Sequence, residues 1–223
     1  SKLSGNFLNK YNLSDTSFIF SLTNNFGLIE KIQGKFNDIP ISVGTINYKK
    51  DKNFNIETKF NTSIDLNNDE LKKLLIDFKF FDNFDFNYKL NSRLEHKGII
   101  ELDNTLKILD FKYSINGKIK NLEIQSKKII NNEILGKSIK KIRLINSKIV
   151  INYGFNRPSQ IDLEGFYIFD DAEQKKITIK NSFNKKLSHL NINFDFEEKI
   201  SIFFLNYLKE KGKNSSIEID LNL

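Results

Sequence analysis

At 223 residues the chain is long enough to bury a sizeable core, and 39% hydrophobic and 13% aromatic content, including 21 Phe, excludes a disordered polar polymer. Zero Cys excludes disulfides, thiol nucleophiles and thiolate metal sites together, and the lack of an 18-residue apolar stretch excludes a membrane-spanning helix. The net charge of +7 is discounted as evidence for a polyanionic partner, because a chain crowded with Lys, Asn, Ile and Phe but lacking Trp, Cys and Met has the codon bias of an AT-rich genome.

In chain order, Phe18, Phe20 and Leu22 alternate with polar neighbours, and Leu28 to Phe36 continues as a second strand after the Asn24-Asn25 turn signal. Ile39, Ile41 and Val43 lead through Gly44 into Ile46 and Tyr48, and a polar connection at 49–53 follows. Then comes strict alternation, with Phe54, Ile56, Thr58, Phe60, Thr62, Ile64 and Leu66 on one side and only polar residues between them. Period two means a strand with one dry face. Asn67 or Asn68 is placed to cap a short helix over 68–78, with Asp69 and Glu70 in its first turn and Leu71, Leu74, Leu75 and Phe78 as its apolar stripe.

A longer alternating run follows, Phe84, Phe86, Tyr88, Leu90, Ser92, Leu94, His96, Gly98, Ile100, Leu102. At about 3.3 Å per residue the two long runs span roughly 40 and 60 Å, so each hides a bulge or belongs to an unusually long sheet with one continuous apolar surface. Leu109, Phe111, Tyr113, Ile115, Gly117 and Ile119 form the next strand, and at Asn121 the phase slips by one residue, the mark of a bulge or a turn. The pattern weakens over 127–148 and returns at Ile149 to Tyr153, Ile161 to Tyr167, Ile177 to Ile179 and Leu190 to Phe196. Ile200 to Leu208 fits a buried helix or a strand equally. No linker rich in Pro, Gly or Ser divides the chain, so residues 1–223 read as one β-rich unit. Ile32–Ile41 aligns without gaps on Ile115–Ile124, an echo of the kind a sheet grown from repeated strand-turn-strand units would leave.

Catalytic chemistry finds little material here. The two imidazoles, His96 and His189, are too few for a metal site. His96 lies on the apolar phase and reads as a hydrogen-bonded interior or rim residue, whereas His189 reads as solvated. Gly136-Lys137-Ser138 resembles the end of a phosphate loop, but the glycine five residues before Gly136 is Asn131. The pairs Asp170-Asp171 and Glu197-Glu198 read as solubilising. Basic clusters at 127, 128, 137, 140, 141, 143 and 148, and at 175, 176, 180, 185 and 186, read first as a solvated face and next as attraction to anionic headgroups. Nucleic-acid binding would need exposed aromatics among them, and the aromatics follow the apolar phase. The reading is of a protein that is not an enzyme and has no cofactor.

The layout resembles the AsmA-like superfamily of Gram-negative envelope proteins, in particular its YhdP-like branch with an AsmA-type C-terminal region. Serial one-sided strands with Gly-Lys turns at Gly34-Lys35 and Gly117-Lys118, the short helix at 68–78, and the segment from Asn193 to Leu223 carry the resemblance. In that segment Phe194-Asp195-Phe196 is followed by an apolar stretch, the turn Lys209-Glu210-Lys211-Gly212-Lys213 and a last strand whose alternation stops in mid-pattern; the proline common at the family's turn is missing. The chain begins without Met or a signal peptide and is read as an internal piece of a longer protein.

The resemblance implies a mainly β fold, a long, curved antiparallel sheet forming an open, taco-like groove with one or two short helices. It implies a periplasmic location and an inner-membrane tether outside this piece. It also implies a bridge along which phospholipid acyl chains pass toward the outer membrane. On that reading Phe54, Ile56, Phe60, Ile64, Phe84, Phe86, Tyr88, Leu90, Leu94, Phe111, Tyr113 and Ile115 line the groove. The alternative is a closed β-sandwich with a dry core, an interaction or adhesion module whose loops carry recognition.

Overall fold

The computed structural model describes residues 3–7, 11–67, 86–132, 137–170, 172–184, 187–197, 199–202 and 206–222. Those residues form fourteen strands and no helix: β1 (Leu3–Phe7), β2 (Tyr11–Leu22), β3 (Phe26–Phe36), β4 (Ile39–Lys50), β5 (Phe54–Leu66), β6 (Phe86–Leu102), β7 (Ile108–Asn132), β8 (Lys137–Gly154), β9 (Ser159–Phe169), β10 (Lys175–Phe183), β11 (Ser188–Phe196), β12 (Ile200–Ile202), β13 (Tyr207–Lys209) and β14 (Ser215–Asn222). Twelve of them make one sheet in the order β1 to β11 and then β14, every neighbour antiparallel, and β12 and β13 form a separate hairpin between β11 and β14. The order is nearly that of the chain, as expected when each strand turns straight back on its predecessor. The sheet is an open one, not closed into a barrel.

The segment read as a helix over 68–78 and the site residue Phe84 lie outside the described residues. Of the stretch 200–208, Ile200–Ile202 is strand β12 and Tyr207 and Leu208 belong to strand β13, while 203–205 lie outside the described residues. Both Gly-Lys pairs correct the sequence reading: Gly34-Lys35 lies inside β3 and Gly117-Lys118 deep inside β7, so neither is a turn. The actual turn after Gly34 is Asn37-Asp38, both at positive φ (46° and 67°), the two-residue hairpin geometry that Asn and Asp tolerate. The internal echo fails with it, since 32–41 is strand-turn-strand while 115–124 is one uninterrupted strand.

The long strands are reached by bulging. In β2, β3 and β4 the register shifts around Asp15, Lys31 and Val43, three neighbouring residues in the left-handed region at φ 53°, 55° and 53°. A second pair of bulges sits side by side at Lys120 of β7 and Asn146 of β8; the first of these is the phase slip seen at Asn121. Each extra residue bends its strand and increases local twist, which is how so wide a sheet curls. Between the two rows of bulges β5 and β6 pair without a shift from Phe54↔Leu102 to Leu66↔Leu90.

The molecule is thin. Its accessible surface is 15493 Å², against about 10,500 Å² for a compact monomer of its mass. Among the described residues the twelve-stranded sheet has no second sheet of comparable size to pack on, the dry sandwich's first requirement.

Candidate functional site: one apolar sheet face

Because side chains alternate and the register is continuous, one set of residues shares a face across almost the whole sheet. A single cross-strand row reads Gly34, Ile41, Thr62, Leu94, Gly117, Ile149, Leu163, Ile179, Ile192, Ile219, through ten strands from β3 to β14. The row beside it contains Phe60, His96, Ile115, Ile151 and Ile161, and the next Phe20, Ile29, Ile46, Thr58, Gly98, Tyr113 and Tyr153. The apolar-phase residues of β5, β6 and β7 therefore fall on a single surface. Phe54, Ile56, Phe60, Ile64, Phe86, Tyr88, Leu90, Leu94, Phe111, Tyr113 and Ile115 all lie there, and each is half-buried. Neither sealed nor fully solvated, these side chains cover one another edge to edge.

Exposure grades along the sheet. On β2, Phe18, Phe20 and Leu22 are 38%, 62% and 65% exposed, an open apolar end. On the edge strand β14 Ile219 and Leu221 are again 37% and 41% exposed, but beside the β12–β13 hairpin the face is closed: Phe196 is 1% exposed, Tyr167 3% and Ile200, in that hairpin, 6%. There Tyr167 meets Phe169 and Phe194 edge-on at 4.8 and 5.8 Å, its hydroxyl donates to the Asp195 carbonyl (2.5 Å), and the Lys209 ammonium lies 5.7 Å from the Phe196 ring centre. The Gly212 amide donates to the Glu197 carbonyl, tying the turn after β13 back to the end of β11 (2.9 Å).

Aromatic contacts run over the open part. Tyr48 stacks on Phe54 at 5.8 Å, with Lys50 over the same Phe54 ring, and Phe111 meets Tyr153 and Phe155 at 5.4 and 6.0 Å. Where strands need to approach closely, glycine is used: a Cβ at Gly117 would strike the Arg93 carbonyl, and one at Gly165 would strike Ser147, whose side chain is fully buried.

One polar cluster interrupts the apolar surface. His96 of β6 lies flat against Phe60 of β5, with ring centres 4.5 Å apart and planes 7° from parallel. Its Nε2 is 2.8 Å from the Thr62 hydroxyl and its Nδ1 2.6 Å from the Tyr113 hydroxyl, so one imidazole bridges β5 and β7 diagonally. Gly98 leaves room beside the Tyr113 ring. Burial holds His96 below the ordinary histidine value and pushes the Tyr113 phenol up, so both are neutral near pH 7. The sequence reading placed His96 as a hydrogen-bonded interior or rim residue, and it is buried with a partner on each nitrogen. That reading did not pair it with Thr62 and Tyr113. The available signal was four polar side chains, Thr58, Thr62, Ser92 and His96, on the apolar phase of two adjacent runs.

The opposite face is mainly polar, although Ile99 on it is 44% exposed. Glu95 lies between Lys59 and Lys97 at 3.2 and 3.0 Å, and hydrogen bonds from Lys97 and Lys59 hold its carboxyl below the usual range. Asp110 pairs with Arg157 at 3.3 Å. His189 is exposed, 2.9 Å from Asn222 Oδ1. No group of three or more His, Cys, Asp and Glu is placed to hold a metal ion among the described residues, and among them there is no helix long and apolar enough to cross a membrane. Comparison with known proteins returns nothing: no family model, no curated protein and no solved structure matches the chain.

Proposed function

We propose that this chain binds hydrocarbon chains along the apolar face of its sheet, as a non-enzymatic segment of a bridge-like phospholipid transport protein of the AsmA-like kind. It would work in the periplasm of a Gram-negative bacterium, held to the inner membrane by an anchor elsewhere. The observation that carries this reading is the continuous cross-strand row from Gly34 to Ile219 through ten strands, apolar but for Thr62, flanked on β5 to β7 by half-buried apolar side chains. An acyl chain laid on that surface loses contact with water at about 0.8 kcal/mol per methylene, while its headgroup stays at the solvated edge. Sliding from one equivalent row of Ile, Leu and Phe to the next changes that energy little, which is what conduction requires. No bond is made or broken, so the chemistry asks for no nucleophile, metal or cofactor.

Native mass spectrometry of protein purified without detergent tests the proposal. Copurified phospholipid masses, lost after organic extraction of the folded protein, are expected. A clean apo mass from folded protein, unchanged after incubation with phospholipid vesicles, would contradict it and return the face to the role of an interaction surface.

A further inference from the structure

The polar cluster on the apolar face carries a count that does not close. Thr62 and Tyr113 each bring one hydroxyl proton, and a neutral imidazole brings one N–H and one lone pair. The cluster has two hydrogen bonds, Thr62 to Nε2 and Tyr113 to Nδ1, and each uses one proton. If Tyr113 donates to Nδ1, then Nε2–H donates to Thr62 and the Thr62 proton is left over. In the other tautomer the Tyr113 proton is left over. Either way one O–H donor remains without a protein acceptor among the described residues, on a surface otherwise lined by Phe60, Leu94 and Ile115.

We propose that this cluster is a hydrogen-bond donor site for the ester carbonyl of an acyl lipid lying on the face; the proposal rests on the acyl-binding reading above. A carbonyl oxygen fits because it is a neutral acceptor carried within an otherwise apolar molecule. A carboxylate fits poorly, since no cationic side chain stands on this face beside the cluster in β5, β6 or β7. Because the imidazole exchanges tautomers, the donor can be presented from the β5 side or the β7 side.

The test compares two phosphatidylcholines of equal chain length, one diacyl and one with both chains ether-linked, which differ only in the two carbonyls. Each is titrated below its critical micelle concentration against the protein. The wild type is expected to bind the diacyl lipid about tenfold more tightly, the worth of one hydrogen bond in a dry site. In the triple variant Thr62→Val, His96→Phe, Tyr113→Phe the two lipids should bind alike. Infrared spectra of the wild-type complex should show the ester stretch moved to lower frequency, a readout that needs no variant. Equal binding of both lipids by the wild type overturns the donor site and leaves the acyl-binding reading standing. A preference that survives in the triple variant also overturns it, since the carbonyl is then met elsewhere. Binding of neither lipid overturns both.

Discussion

Truncating Phe196 and Phe20 separately should give very different results, because the two rings occupy opposite ends of one face. Phe196 is 1% exposed and sits against Phe194 (6.1 Å) beneath Lys209, so Phe196→Ala removes nearly the whole transfer energy of a buried ring and leaves a cavity, about 3–5 kcal/mol. Phe20 is 62% exposed, so Phe20→Ala forfeits only about a third of the 1.5–3 kcal/mol transfer term and opens no cavity, about 0.5–1 kcal/mol. Urea unfolding followed by circular dichroism, with slopes checked for equality, reads both as shifts in midpoint. A loss for Phe20→Ala as large as that for Phe196→Ala would mean that the open end is covered in solution, and the argument for a single exposed layer would fall.

Other consequences can be checked with the same unfolding assay. His96 is held below its ordinary value of 6.5 by burial, so the unfolded chain takes up a proton that the folded chain resists; stability is full above about pH 6.5 and declines below it, and the pH dependence should be weaker in His96→Phe. Val43 is a β-branched residue at φ 53° and 67% exposed, so Val43→Asn should raise stability by about 1 kcal/mol, whereas no change would argue against the bulge at that position. Gly117→Ala should cost about 1–3 kcal/mol, since the added methyl meets the Arg93 carbonyl and the Leu94 backbone as well as the Leu94 side chain, and backbone cannot swing away. Tyr167→Phe should cost about 1–2 kcal/mol by leaving the Asp195 carbonyl without its donor, and a neutral result would show that water replaces the hydroxyl.

The face was legible in the sequence for a simple reason. Alternation from Phe54 to Leu66 and from Phe86 to Leu102 coincides with β5 and β6, which pair without interruption, and a strand's side-chain period does not depend on what its neighbours do. Bulges were half-legible. The one at Lys120 showed as a phase slip because apolar residues flank it, but those at Asp15, Lys31 and Val43 break no obvious pattern, as the residues around them are mixed. From Lys127 to Lys148 the pattern dissolves, yet β7 continues to Asn132 and β8 begins at Lys137, held by ladder bonds that any residue but proline can make. Gly34-Lys35 and Gly117-Lys118 misled because glycine is a turn former by habit, whereas here it relieves crowding between strands, against Thr16 at one site and Arg93 at the other. The Thr62–His96–Tyr113 bridge depends on a diagonal reach across three strands, and diagonal neighbours can be read only after register is known.

The most direct measurement of the central claim is photocrosslinking along β5. A photoreactive amino acid is placed in turn at 56, 57, 59, 60, 63 and 64, and each protein is irradiated with vesicles containing an alkyne-tagged phospholipid. Labelling is expected at 56, 60 and 64, which face the apolar side, and not at 57, 59 and 63, which face the polar side. Labelling without that alternation, or none at any position in a folded protein, would contradict the account.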